Sequence, residues 1–186
     1  MPRPRASYAV AGLCLVMHER AAEFAERARD RHGIDLDVLE FDGGTKTAAA
    51  AADAVGCDTA AIASTIVVSV SGWEAGVDEA ADADEDRLVA AITSGANRLD
   101  LDAVAERFGA TSASMADPER IREVVGWSIG GVPPICHDAA LPTVLDPTLT
   151  EYDTVHGAAG TPSALFQIDP ETLADLADAT VVDLTE

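Results

Sequence analysis

The period of the apolar positions changes several times along the chain. Over 17–31 they recur every three to four residues, with Ala21, Phe24, Ala25 and Ala28 on one face, which predicts a helix. Arg27, Arg29 and Arg31 crowd its far end, where cations suit the helix dipole, and Gly33 stops it. A strand is predicted from Leu36 to Phe41, with a turn at Asp42-Gly43-Gly44. Thr47 can cap an alanine-rich helix over 48–55 that ends at Gly56. Ile62 to Val70 is dense in β-branched residues and reads as a strand, with 87–93 as its hairpin partner. Between them, 71–86 is a run of carboxylates without a base, which reads as a solvated loop.

Further helices are predicted over 101–108, capped by Asp100 or Asn97, and over 118–125, with Pro118 at the first helical position and Gly126 at the end. Residues 126–137 carry too much Gly and Pro for regular structure. Strands follow at 141–145, 154–159, 164–168 and 180–184, and Asp169-Pro170 opens a helix to Leu176. Hairpins outnumber regular βαβ spacings. The expected fold class is therefore α/β: a single mixed, mainly antiparallel sheet flanked by helices in one domain.

The charge balance alters the picture of the surface. The 186 residues carry 33 acidic and 12 basic side chains, net −21, and Lys46 is the only lysine. This reads as a surface adapted to high salt, where screening shortens to roughly 3 Å at 1 M. Such a chain gains little from phosphate neutralisation, so any RNA contact should be small and local; neither DNA nor a membrane is an expected partner. Cys14, Cys57 and Cys136 are odd in number and widely spaced, which argues against a disulfide framework and fits a cytoplasmic setting. Residues 1–16, basic and then apolar, read as an N-terminal extension ahead of a start at Met17, with 17–186 as the domain.

Five segments taken together resemble one family. TKTAAAAADAVGC (45–57), TSGANRLDL (93–101), GWSIGGVPPICH (126–137), LPTVLDPTLTEYDTVHGAAGTP (141–162) and SALFQIDPETLADL (163–176) resemble, in order, the YbaK family of aminoacyl-tRNA deacylases, related to the editing insertion of bacterial prolyl-tRNA synthetase. The resemblance implies a curved, partly barrel-like sheet. It also implies hydrolysis of the ester joining a wrongly attached amino acid to the terminal ribose of tRNA, with no cofactor and no metal. The partners it implies are a tRNA acceptor end carrying an amino acid, and a synthetase. The implied pocket lies between the strand at 61–70, the Gly130–Pro134 loop and the 157–162 turn.

In that pocket Ser64 and Gly131 are the expected catalytic positions. Thr65, Asn97, Gly130, Val132, Pro133, Pro134, His137, Gly160, Thr161 and Pro162 are expected to bind substrate, with Asn97 either holding a loop or contacting ribose. Glycines let backbone approach a substrate and offer N–H groups; Val132, Pro133 and Pro134 make a stiff apolar wall suited to a small side chain such as that of alanine, cysteine or proline. Ser64 stands where the family usually carries lysine, and a neutral hydroxyl has a far shorter reach. A non-catalytic binding module on the same fold is the alternative, and an unrelated hydrolase a third. Trp127, beside the loop, is a candidate for base stacking, with core packing as its other reading.

Overall fold

The element that organises the molecule is a ten-residue strand whose two edges are treated differently. In the computed structural model, which describes residues 17–42, 47–73 and 86–186, the order is α1 (Glu19–His32), β1 (Val38–Glu40), α2 (Ala48–Val55), β2 (Ile62–Ser71), β3 (Arg87–Ser94), α3 (Leu101–Arg107), β4 (Ser112–Met115), α4 (Pro118–Val125), β5 (Thr143–Leu145), β6 (Val155–Ala158), β7 (Ala164–Ile168), α5 (Pro170–Ala177) and β8 (Ala179–Val181). The expected N-terminal extension, most of the turn after Asp42 and the acidic loop over 74–85 lie outside the described residues.

One mixed sheet results, in the order β1-β7-β6-β2-β3-β5-β8. β2 and β3 form the predicted antiparallel hairpin, from Ala63↔Ser94 to Val70↔Arg87. The β2–β6, β3–β5 and β5–β8 pairs are parallel; the others are antiparallel. β1 and β8 do not pair, so the sheet is not closed into a barrel.

The free edge of β2 is shared by two short strands. β6 pairs only with Ile62 and Ala63. β4 pairs with Val68 to Ser71. Among the described residues, 64–67 therefore have β3 on one side and no strand on the other, and Ser64, Thr65 and Ile66 are half-buried between buried stretches of the strand.

Helices cover both faces. α1, α4, α5 and the 126–137 loop contribute Ala21, Phe24, Ala28, Ile121, Val125, Trp127 and Leu173 to the largest core cluster. α3 packs through Val104 on Val68, Val70, Val89 and Ala91. α2 packs through Ala51 and Ala52 on Ile62 and Leu165. The caps act as predicted: Thr47 Oγ1 accepts from Ala50 N–H, Asp117 caps α4, and Gly33, Gly56 and Gly126 end their helices with positive φ. Among the described residues no helix is long and apolar enough to cross a membrane.

Candidate functional site: a neutral cavity at the gap in the sheet

A cavity of about 120 Å³ opens where β6 leaves β2. Ile62, Ala63, Ser64 and Thr65 of β2 form one wall, Ala158 of β6 and Leu165 of β7 the second, Gly130 and Val132 the third, and Thr47, Ala48 and Ala51 of α2 the floor. No charged side chain lies among these lining residues.

The loop from 126 to 137 is held against the 157–162 turn by contacts that leave no room for side chains. A Cβ on Gly131 would sit 2.8 Å from the N, Cα and C atoms of Thr161, and Gly160 N–H donates to the Gly131 carbonyl at 3.1 Å. Gly160 has φ +89°, and a Cβ there would lie 2.7 Å from the Trp127 ring and 2.8 Å from the Arg20 carbonyl. Thr161 turns its hydroxyl inward to accept from Ser163 N–H. Pro162 lies at the rim, its ring 3.7 Å from where a Gly130 Cβ would be.

Four of the expected site residues therefore line the cavity: Ser64, Thr65, Gly130 and Val132. Gly131, Pro133, Pro134, Gly160, Thr161 and Pro162 belong to the loop and turn beside it, and Asn97 and His137 are not among its lining residues. Gly131 serves close approach rather than donation, because its N–H is spent on the Ser128 carbonyl at 3.1 Å. Pro133 and Pro134 are buried, and Pro134 packs where a Cβ of Gly157 would be. Asn97 resolves in favour of holding a loop: its Nδ2 donates to Asp146 Oδ2 and Thr148 Oγ1, both at 2.9 Å.

His137 lies in a second cleft, of about 400 Å³, behind the loop. Its Nε2 pairs with the Pro133 carbonyl at 2.6 Å, and Arg31 donates to the His137 carbonyl at 2.6 Å. Burial depresses its pKa. Burial also pushes the Cys136 thiol up to about 11, so it is a poor nucleophile at neutral pH.

Base stacking by Trp127 is overturned. The indole is fully buried, its Nε1 donates to the Cys136 carbonyl at 2.9 Å, and the Arg20 and Arg27 guanidinium carbons lie 4.2 and 4.9 Å from the ring centroid. Glu23 pairs with both arginines. The ring is thus the anchor on which loop and turn rest, and α1 clamps it. Among the described residues no three His, Cys, Asp or Glu side chains gather as a metal site.

The residues that sequence reasoning left out of the site are Thr47, Ala48 and Ala51. They lie in a segment that resembles the family (45–57), but nothing beyond a capped helix with small residues pointed to them as pocket lining. Ile62, Ala63 and Ala158 fall inside the strand and turn of the implied pocket without having been singled out, and Leu165 carried no signal beyond lying in a segment that resembles the family.

With this geometry in place, comparison with known proteins is decisive. A sequence profile described as aminoacyl-tRNA editing domain matches residues 42–176. The chain belongs to the aminoacyl-tRNA editing domain family. It is similar to a proposed trans-editing enzyme for prolyl-tRNA synthetase of known crystal structure. The two share 34% identity over 92% of this chain and 99% of that one, with a TM-score of 0.79. A second crystal structure, of the hypothetical protein APE2540, is 26% identical over 88% of this chain and 99% of that one, at a TM-score of 0.71. The uncharacterised Bacillus subtilis protein YwhH is 26% identical over 141 residues, which is 75% of this chain and 80% of that protein.

Proposed function

We propose that the protein is a cytoplasmic trans-editing deacylase that hydrolyses the ester of mischarged aminoacyl-tRNA, with Ser64 where the family's lysine would stand. One observation carries this reading. The cavity is small, its described lining residues are uncharged, it lies at the gap in the sheet, and it is built by segments of the chain that resemble the family. Its volume suits a small amino-acid side chain with the ester at its mouth. The similar protein described as a trans-editing enzyme for prolyl-tRNA synthetase supports the same reading, with a tRNA acceptor end as partner.

The lining residues offer no nucleophile with a base beside it. Ser64 lacks a histidine partner among them, and Cys136 lines the second cleft instead, its thiol pushed up to about 11 by burial. Attack by water is then assisted by the substrate, whose free ribose hydroxyl orients it. Backbone N–H groups at the cavity edge, at Gly130 and Val132, are the candidate donors to the developing oxyanion. Hydrolysis of alanyl-, cysteinyl- and prolyl-tRNA in molar KCl tests this. Release of any of the three amino acids well above the protein-free rate is expected, and no release from any would defeat the reading.

The neutral lining also favours a second reading, in which the domain binds aminoacyl-tRNA without turning it over. Saturable binding with no release identifies that case.

A further inference from the structure

The last rung between β2 and β6 is missing, and the residue left without it is Thr65. Backbone polar groups along a strand point alternately to its two neighbours. The Ile62 carbonyl accepts from Gly95 N–H, on the β3 side. The Val67 carbonyl accepts from Ala116 N–H, on the β4 side. Thr65 shares the parity of Val67, so its N–H and C=O face the gap. The parallel ladder stops at Ala63↔Gly157, so the next rung, Thr65 N–H to the Ala158 carbonyl, is not formed. Both residues line the cavity.

The side chain of Thr65 repeats the pattern. Its Oγ1 is buried and has no hydrogen-bond partner. Buried hydroxyls are rarely left so, since an unmade hydrogen bond costs the full desolvation of the group. Valine has the same shape, suits a strand of this composition and would carry no such cost. A threonine here is explained if the hydroxyl is used when the cavity is filled. One staggered step of χ1 exchanges its methyl and hydroxyl.

The three acceptors at this point are the Thr65 hydroxyl, the Thr65 carbonyl and the Ala158 carbonyl. By strand parity the two carbonyls face the gap, and one χ1 step brings the hydroxyl, now sealed from solvent, to the same cavity, which has no cationic side chain among its lining residues in a chain of net charge −21. Such an arrangement favours a small cation with several N–H donors. We propose that Thr65 and the Ala158 carbonyl bind the α-ammonium of the amino acid esterified to the substrate, and so position its carbonyl beneath the 130–132 loop. The inference rests on the deacylase reading and names the group that the site recognises.

The test uses the full chain in molar KCl, with alanyl-, cysteinyl- and prolyl-tRNA, each also in its N-acetylated form. Thr65→Val should fold at least as stably as the parent, because it removes an unpartnered hydroxyl. It should still lose about thirtyfold in kcat/KM on the free-amino substrate that the parent prefers, ~2 kcal/mol at 1.36 kcal/mol per decade. Thr65→Ser should retain most of the rate. On the N-acetylated substrate the parent should be slow, and Thr65→Val no slower. Equal losses on the two substrate forms, or none on either, would overturn the inference while leaving the deacylase reading intact. Inactivity of the parent on every substrate would remove both.

Discussion

Gly131 and Thr161 meet backbone to backbone: a Cβ added at Gly131 would fall 2.8 Å from three main-chain atoms of Thr161. Real Cβ atoms do not approach so closely, and neither partner at this contact is a flexible side-chain tip. The two turns that stand behind the cavity are therefore locked by the absence of one methyl group. Gly131→Ala should force them apart and destabilise the fold by about 1–3 kcal/mol, as overpacking does. Chemical unfolding of parent and variant in molar KCl measures this, and an unchanged midpoint would contradict the contact.

Trp127 should respond as an anchor. Trp127→Phe removes the hydrogen bond to the Cys136 carbonyl and weakens the stacking of Arg20 and Arg27. A loss of about 1–3 kcal/mol is expected in the same unfolding experiment. Because the ring is buried, acrylamide should quench its fluorescence poorly in a Trp73→Phe background, whether or not tRNA is present.

Burial depresses the pKa of both His137 and His156. A depressed folded-state pKa means that the unfolded chain binds the proton more readily. The stability these histidines contribute is complete above the ordinary value of about 6.5 and is lost as pH falls below it toward the folded-state values. Unfolding midpoints should therefore fall between pH 7.5 and 5. His137→Gln should flatten the slope over that interval.

Ser64 sits in the cavity wall, half-buried, in the position that the family resemblance gives to lysine. If the neutral cavity is sufficient for turnover, Ser64→Lys should change deacylation by less than about tenfold, under ~1.4 kcal/mol. A gain of several decades would show that the natural chain binds without efficient hydrolysis.

How much of this could be read from sequence depended on whether a local signal decided the outcome. α2 and α4 have the predicted bounds because Thr47 and Asp117-Pro118 cap them and Gly56 and Gly126 terminate them, all local chemistry. β4 was not foreseen. Ser112–Met115 is largely exposed and lacks an apolar pattern; it is a strand because the tail of β2 offers it an edge. The candidate site divides the same way. The resemblance led to Ser64, Thr65, Gly130 and Val132, which share one cavity. It also gathered Pro133, Pro134, Gly160 and Thr161, whose burial behind that cavity is set by packing against Trp127 and Gly157, and no motif encodes that packing. The missing β2–β6 rung was illegible, because it depends on where two strands diverge.

The central claim is that the cavity at the β2 gap is where the ester is held. Ala51 is buried and is one of the residues that line it. Single-turnover hydrolysis of the best of the three aminoacyl-tRNAs, in molar KCl, compares the parent with Ala51→Leu. The account predicts hydrolysis by the parent and at least about a hundredfold loss in a variant whose circular dichroism is unchanged, ~2.7 kcal/mol of transition-state stabilisation. Undiminished hydrolysis with the cavity filled would show that the chemistry happens elsewhere.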